Sequence, residues 1–176
     1  DVVLPENNVI ISETGVNESG EITENCCLCL DIGTTTLALA LVSLDEKKII
    51  KVKTATNPQR AFGGDVLNRI EYCNKNGISD LQNCLIDRIN EMIDEFDINF
   101  VNKMYVSGNT TMLHIFFGVD PSSIGVAPYT PVFLESKEIN GDETGLMNIE
   151  KVVSLPCISA FVGADLVAGI NYAETP

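Results

Sequence analysis

The sequence predicts an α/β fold: a five-stranded mixed sheet in which three antiparallel strands come first, with helices on both faces. Three observations carry that expectation. Between residues 26 and 56 apolar side chains alternate with other residues at the two-residue period of strands. Between 65 and 96 they recur at steps of three and four, the spacing of one helix face. After residue 100 the order becomes strand then helix, twice, as in parallel strands joined by crossover helices.

Residues 1–25 mix Asn, Glu, Ser and Gly with isolated Val and Ile, and are expected to form a leader or linker with one short edge strand at 9–12. Strands are predicted at 26–32, 36–44 and 47–56, joined at Gly33 and at a turn over 45–47, which makes an antiparallel meander. The segment TNPQRAFGGD, rich in Asn, Pro and Gly, ends it. Asp65 then leads a helix whose Val66, Leu67, Ile70 and Cys73 share one side, and Gly77 stops it. Ser79 with Gln82 reads as a capping box for the next helix, where Leu81, Leu85, Ile89, Met92, Ile93 and Phe96 face the sheet. Its other face, with Asp87, Asn90, Asp94 and Glu95, is read as solvated. A fourth strand follows at 103–107, then a helix over 110–117. Gly118, Pro121, Gly125, Pro128 and Pro131 make the next stretch an extended loop. A fifth strand at 152–155 closes at Pro156, and residues 160–170 are predicted helical.

At 176 residues, 45% of them apolar, the chain fits one domain with a sizeable core. No apolar run approaches the ~20 residues of a membrane helix, and the N-terminus lacks the basic-then-apolar order of a secretion signal. A cytoplasmic protein without a membrane partner is expected. The net charge of −14, with 25 acidic against 11 basic residues, argues against nucleic acid as a partner. Cys26, Cys27 and Cys29 lie in the first strand, where neighbours point to opposite faces, so three ligands do not converge there. Cys73, Cys84 and Cys157 stand alone, and no zinc or iron–sulfur spacing occurs; the six are read as packing residues. His114, in the apolar stretch 112–117, is read as a hydrogen-bonded packing residue rather than a metal ligand.

The segment LDIGTTT at 30–36 ends an apolar strand at an acidic residue and passes directly into Gly and three threonines. Backbone N–H groups around Gly33, Thr34, Thr35 and Thr36 can approach phosphate oxygens because Gly lacks a Cβ, and the hydroxyls add uncharged donors. Asp31 suits a hydrated Mg²⁺, which keeps most of its waters and takes one or two carboxylates. The alternative is that these residues only make a hairpin turn. A second turn, SGNTT at 107–111, places N–H groups and hydroxyls at a helix N-terminus, a place suited to anions.

Five segments in order carry a resemblance: LDIGTTT at 30–36, NPQRAFGGDVLNRI at 57–70, VSGNTTMLHIFFGVDP at 106–121, APYTP at 127–131 and LPCISAFVGADLVAGI at 155–170. The chain resembles the ATP-dependent reductive activators of corrinoid proteins, members of the superfamily of acetate and sugar kinases, heat-shock chaperones and actin. The resemblance implies a ribonuclease-H-like, actin-like ATPase lobe over residues 26–176, the first of two lobes that clamp Mg-ATP between them. The second phosphate motif and the adenosine motif are expected in a second lobe of the same polypeptide. A [2Fe–2S] domain is expected only in the full-length protein. The implied activity is ATP-driven reduction of a Co(II) corrinoid protein, which is the implied partner, and the isolated lobe is expected to be inactive.

By the same resemblance Asp31, Asn109 and Asp165 are the candidate catalytic residues, with Asp31 also holding Mg²⁺ through water. Gly33, Thr34, Thr35, Thr36, Gly108, Thr110 and Gly163 are the candidate nucleotide contacts. Asn109 with Thr110 and Thr111 resembles the position that lines the cleft under the γ-phosphate in sugar kinases; helix capping is the competing account. Gly163, Ala164 and Asp165 resemble the Gly-Ala-Asp of pantothenate kinases, and a carboxylate at a cleft edge could orient water or hold hydrated Mg²⁺; Asp favoured in a first helical turn by the dipole is the competing account. Gly163 and Ala164 suit a hinge or plain close packing. Asp65 and Arg69 flank the GGD turn, where they could meet substrate or partner, and are read in preference as surface residues. Two other functions stay open: a lobe of a small-molecule kinase, with Asp165 or Asp65 as its acid, and a non-catalytic module that binds a partner protein.

Overall fold

Residues 25–164 are described by a computed structural model. Strands β1 (Cys26–Ile32), β2 (Thr36–Ser43) and β3 (Lys48–Thr56) form the expected meander. Alternation fixes its register. Leu28, Leu30 and Ile32 stand opposite Leu41, Leu39 and Leu37, and all six are buried. Beyond β1 lie β4 (Val101–Gly108) and β6 (Ile149–Ser154), each parallel to its neighbour on the β1 side, and β5 (Glu138–Asn140) closes the edge antiparallel to β6. The sheet therefore has six strands in the order β3-β2-β1-β4-β6-β5, one more than the five predicted. The added strand is three residues long with Ile139 as its only apolar side chain, too short for a period to register. The fourth and fifth predicted strands also begin earlier than expected, because Val101 and Ile149 pair with each other.

Helices α1 (Val66–Asn76), α2 (Ser79–Asp94), α3 (Thr110–Phe116) and the single turn α4 (Gly141–Thr144) complete the order. The parallel steps β1 to β4 to β6 run in one direction across the sheet, so right-handed crossovers place their helices on one face. The edge contacts agree. Lys51 and Lys53 share the face of Leu41 and Leu39, and there Lys51 Nζ donates to the Phe96 carbonyl at 3.0 Å while Lys53 pairs with Glu95, both just past α2. Leu81, Leu85, Ile89, Met92 and Phe96 fill the space between α2 and the leucines of β1 and β2. The other face, with Cys29, Ala38, Ala40, Val52 and Tyr105, forms a shallow groove of about 340 Å³. Among the described residues the helices thus lie on one face only. The helix expected at 160–170 is described only as far as Ala164, and residues 160–162 are bends rather than helix. The expected leader, apart from Asn25, lies outside the described residues.

The helix ends show where local signals held. Asp65 caps α1 by accepting from Asn68 N at 2.8 Å, and Gly77 ends it at φ 84°. The capping box at Ser79 and Gln82 is absent: Ile78 occupies the cap, and Gln82 Nε2 donates to the Phe116 carbonyl at 3.1 Å instead. Tertiary contact outcompeted the local bond, because Gln82 reaches an otherwise open C-terminal carbonyl of α3. No helix among the described residues is long and apolar enough to cross a membrane.

His114 is buried on α3 as the packing residue expected. Its Nδ1 lies 2.7 Å from the Thr110 carbonyl, its Nε2 accepts from Val132 N at 3.1 Å, and its ring stacks on Phe133 at 4.3 Å. Those partners require the neutral ring with the proton on Nδ1. Burial, opposed in part by the Thr110 carbonyl, holds its pKa below the ordinary 6.5. The unfolded chain therefore binds a proton that the fold refuses, and stability falls as pH drops through 6.5 towards the lower folded value. Urea unfolding at pH 7.5 and 5.5 is expected to give a lower stability at the acidic value, and His114→Gln is expected to shrink that difference; an equal difference in both proteins would refute it.

Candidate functional site

The parallel pairing of β1 with β4 brings two turns to one edge of the sheet. Ile32 stands opposite Gly108, so the turn after β1 (residues 33–35) and the turn from β4 into α3 (residue 109) emerge side by side. Both glycines are sterically required. A Cβ on Gly108 would meet the Ile32 carbonyl oxygen at 2.9 Å, and one on Gly33 would meet the Thr36 carbonyl oxygen at 2.6 Å.

The first turn is tied from behind. Asn57, buried at the end of β3, donates through Nδ2 to the Gly33 carbonyl at 2.8 Å and through its backbone N–H to the Thr35 carbonyl at 2.8 Å. Arg69 Nη2 donates to the Thr34 carbonyl at 2.5 Å. In a trans peptide the carbonyl and the following N–H point in opposite directions. Anchoring the Gly33 and Thr34 carbonyls to the interior thus turns the N–H groups of Thr34 and Thr35 outward, and Thr35 and Thr36 are exposed. The result is a small concavity of backbone donors with hydroxyls beside it, the arrangement that receives anions.

Asp31 is exposed at the edge of this concavity, and its Oδ1 accepts from Ser107 Oγ at 3.0 Å, a bond that links β1 to β4. Asn109 is the cap of α3 and also touches the first turn. Its Oδ1 caps α3 by accepting from Met112 N at 3.0 Å, while its Nδ2 reaches Thr34 Oγ1 at 3.3 Å on the first turn. Gly108 lies beneath the same edge. Thr110 is buried, and its hydroxyl donates to the Ser159 carbonyl at 2.6 Å, tying α3 to the segment after β6. Gly163 is buried a few residues beyond that tie, and Asp165 lies outside the described residues. The structure thus gathers Asp31, Gly33, Thr34, Thr35, Thr36, Gly108 and Asn109 at one edge.

Arg69 corrects the surface reading. It is buried completely, facing inward on α1 beside Ile70, and burial lowers its pKa to about 10. Asp65, by contrast, is exposed, with Oδ1 and Oδ2 engaged by Asn68. Sequence reasoning also passed over Asn57, Gln59 and Ser107. A signal existed for Arg69, since it shares the α1 side with Ile70 and Cys73 at helical spacing. No cluster of three or more His, Cys, Asp or Glu able to hold a metal ion occurs among the described residues.

The chain is similar in sequence and in fold to known proteins. The chain matches the family described as the RACo middle region over residues 26–175, and it belongs to that family. It is similar to the corrinoid activation enzyme RamQ of Eubacterium limosum, with 28% identity over 151 residues that cover 80% of this chain and 26% of that protein. A solved structure described as a reductive activator for corrinoid, iron-sulfur protein superposes with a TM-score of 0.81 at 33% identity, over 85% of this chain and 26% of the other. The chain spans about a quarter of the length of these relatives.

Gly108→Ala forces its methyl against a backbone oxygen, whereas Gly64 has nothing within 4 Å of an added Cβ. Thermal unfolding is expected to show a loss of roughly 1–3 kcal/mol for Gly108→Ala and none for Gly64→Ala. Equal melting temperatures for the two variants would remove the close β1–β4 approach from the account.

Proposed function

We propose that this chain is the first ATP-binding lobe, of ribonuclease-H-like, actin-like type, in a longer cytoplasmic polypeptide that uses ATP to drive reductive activation of a Co(II) corrinoid protein. The observation that carries this reading is the tied turn: interior anchors on successive carbonyls leave its N–H groups pointing at the edge where Asp31 sits. The central strand order, with an antiparallel meander followed by parallel strands, and the family membership both support it. So does the similarity to proteins named for corrinoid activation.

The residues divide the work. Thr34 and Thr35 offer backbone donors to phosphate oxygens, and the exposed hydroxyls of Thr35 and Thr36 add more. Asp31, oriented by Ser107, would hold Mg²⁺ through water, and the lone carboxylate fits that hydrated ion. Asn109 orients the nucleotide or attacking water without adding charge. Bound Mg-ATP supplies the free energy of phosphoanhydride cleavage. A second lobe of the same polypeptide would close the other side of the cleft, and a [2Fe–2S] domain would deliver the electron to the corrinoid partner. The kinase alternative needs a substrate-binding acid, and Asp65, one of its two candidates, already has both oxygens bonded to Asn68.

ATP hydrolysis by the complete polypeptide is expected to rise when a Co(II) corrinoid protein is added; phosphate transfer to a metabolite instead would install the kinase reading. Asp31→Asn in that polypeptide is expected to lower Mg²⁺-dependent turnover by at least ~100-fold, and unchanged turnover would reduce the turn to scaffold. Calorimetric titration of residues 1–176 alone with Mg-ATP is expected to show no tight binding. Tight binding by this lobe alone would falsify the division of the site between two lobes.

A further inference from the structure

Arg69 is buried completely, yet none of the ion pairs among the described residues includes it. Its donors go to neutral acceptors. Nε bonds the Gly63 carbonyl at 3.1 Å, Nη1 bonds Gln59 Oε1 and Met112 Sδ at 3.0 Å each, and Nη2 bonds the Thr34 carbonyl. Gln59 is itself buried and fixed by a bond from Nε2 to the Leu81 carbonyl at 3.0 Å. Burying a cation without a contacting carboxylate is costly, and packing alone would be served better by an apolar side chain. With its pKa near 10 the guanidinium remains protonated at neutral pH.

Its position supplies a reason for tolerating that cost. The turn at residues 33–36 contains no Lys or Arg, and the whole chain carries a net charge of −14 that repels anions. Arg69 stands immediately behind that turn. Its contact with Met112 also reaches the first turn of α3, whose cap, Asn109, touches Thr34.

We propose that Arg69 is a positioning residue for a polyphosphate at this turn: it fixes the Thr34 peptide with its N–H groups outward and supplies from behind the positive potential that the turn lacks. This rests on the nucleotide reading given above. The guanidinium does not touch the ligand. It acts through one peptide group and through its field, which low-dielectric surroundings screen weakly. Asp65 acts on the guanidinium only from a distance, so a nucleotide di- or triphosphate would be the stronger counter-charge, and adenosine, having no phosphate, would not sense Arg69.

The test uses the complete polypeptide, with calorimetric titration of Mg-ATP and of adenosine and with thermal unfolding alongside. Arg69→Lys keeps the charge and loses the fork, and is expected to weaken Mg-ATP about 10-fold. Arg69→Met loses both and is expected to weaken it by about 100-fold. Adenosine affinity is expected to stay constant in each. Gln59→Glu sets a carboxylate against Nη1, at the loss of the bond to Leu81, and is expected to weaken Mg-ATP about 10-fold while the guanidinium stays in place. A purely structural Arg69 predicts unchanged ATP affinity in folded Gln59→Glu. That result overturns the proposal, as does parallel loss of ATP and adenosine affinity, or failure of all three variants to fold. Wild-type protein that ignores Mg-ATP overturns the nucleotide reading itself, which is a separate outcome.

Discussion

The constraint on which the rest depends is the close parallel pairing of β1 with β4. It forces glycine at position 108, since any side chain there would strike the Ile32 carbonyl. It also fixes where the chain turns. The hairpin after β1 and the helix start after β4 leave the sheet at the same edge, so Asn109 can reach Thr34 and Ser107 can reach Asp31. Two segments 75 residues apart in sequence become one surface by backbone geometry alone. Neither turn could assemble this surface without the other.

Behind that edge lies a layer of buried polar groups that an apolar core would ordinarily exclude. Asn57, Gln59 and Arg69 are all inaccessible to water, and each makes its bonds to a carbonyl, an amide or a thioether. Such networks stabilise only when every member is satisfied, and here they are bonded on each side that the described structure shows. What they hold rigid is a three-residue bend whose conformation hairpin closure alone would not fix. Preorganised donors lose little entropy on binding a partner, whatever the net charge of the chain.

The meander, the existence of α1, the buried face of α2, the Gly77 stop and the packing role of His114 were legible because each has a strong local signal: a period, a glycine after the last turn, or a lone histidine among apolar neighbours. The inner side of α1 was misread at Leu67, which is exposed while Arg69 takes the buried side with Ile70 and Cys73. The sixth strand was not legible, since Glu138–Asn140 acquires its strand character from pairing with β6 rather than from its own composition. The capping box failed for a related reason. Gln82 had a choice of partners, and only the folded chain brings the Phe116 carbonyl within reach. Arg69 was misread because a charged residue beside an exposed Asp65 looks like solvated surface, although its helical phase with Ile70 pointed inward. The turn after β1 was legible, but its anchors were not, because Asn57 and Arg69 come from the meander's end and from α1.

Asn109 shows how one capping residue can also tie two turns together. An amide has an acceptor end and a donor end. Capping α3 uses the oxygen, which accepts from Met112 N, and leaves the nitrogen to point across the gap to Thr34. An aspartate would cap equally well but would have no N–H to donate to Thr34, and it would add a negative charge at the edge that already carries Asp31. A serine would cap but would not span the gap. The requirement to do both at once selects asparagine among the capping residues, so the cap also sets the spacing of the two turns.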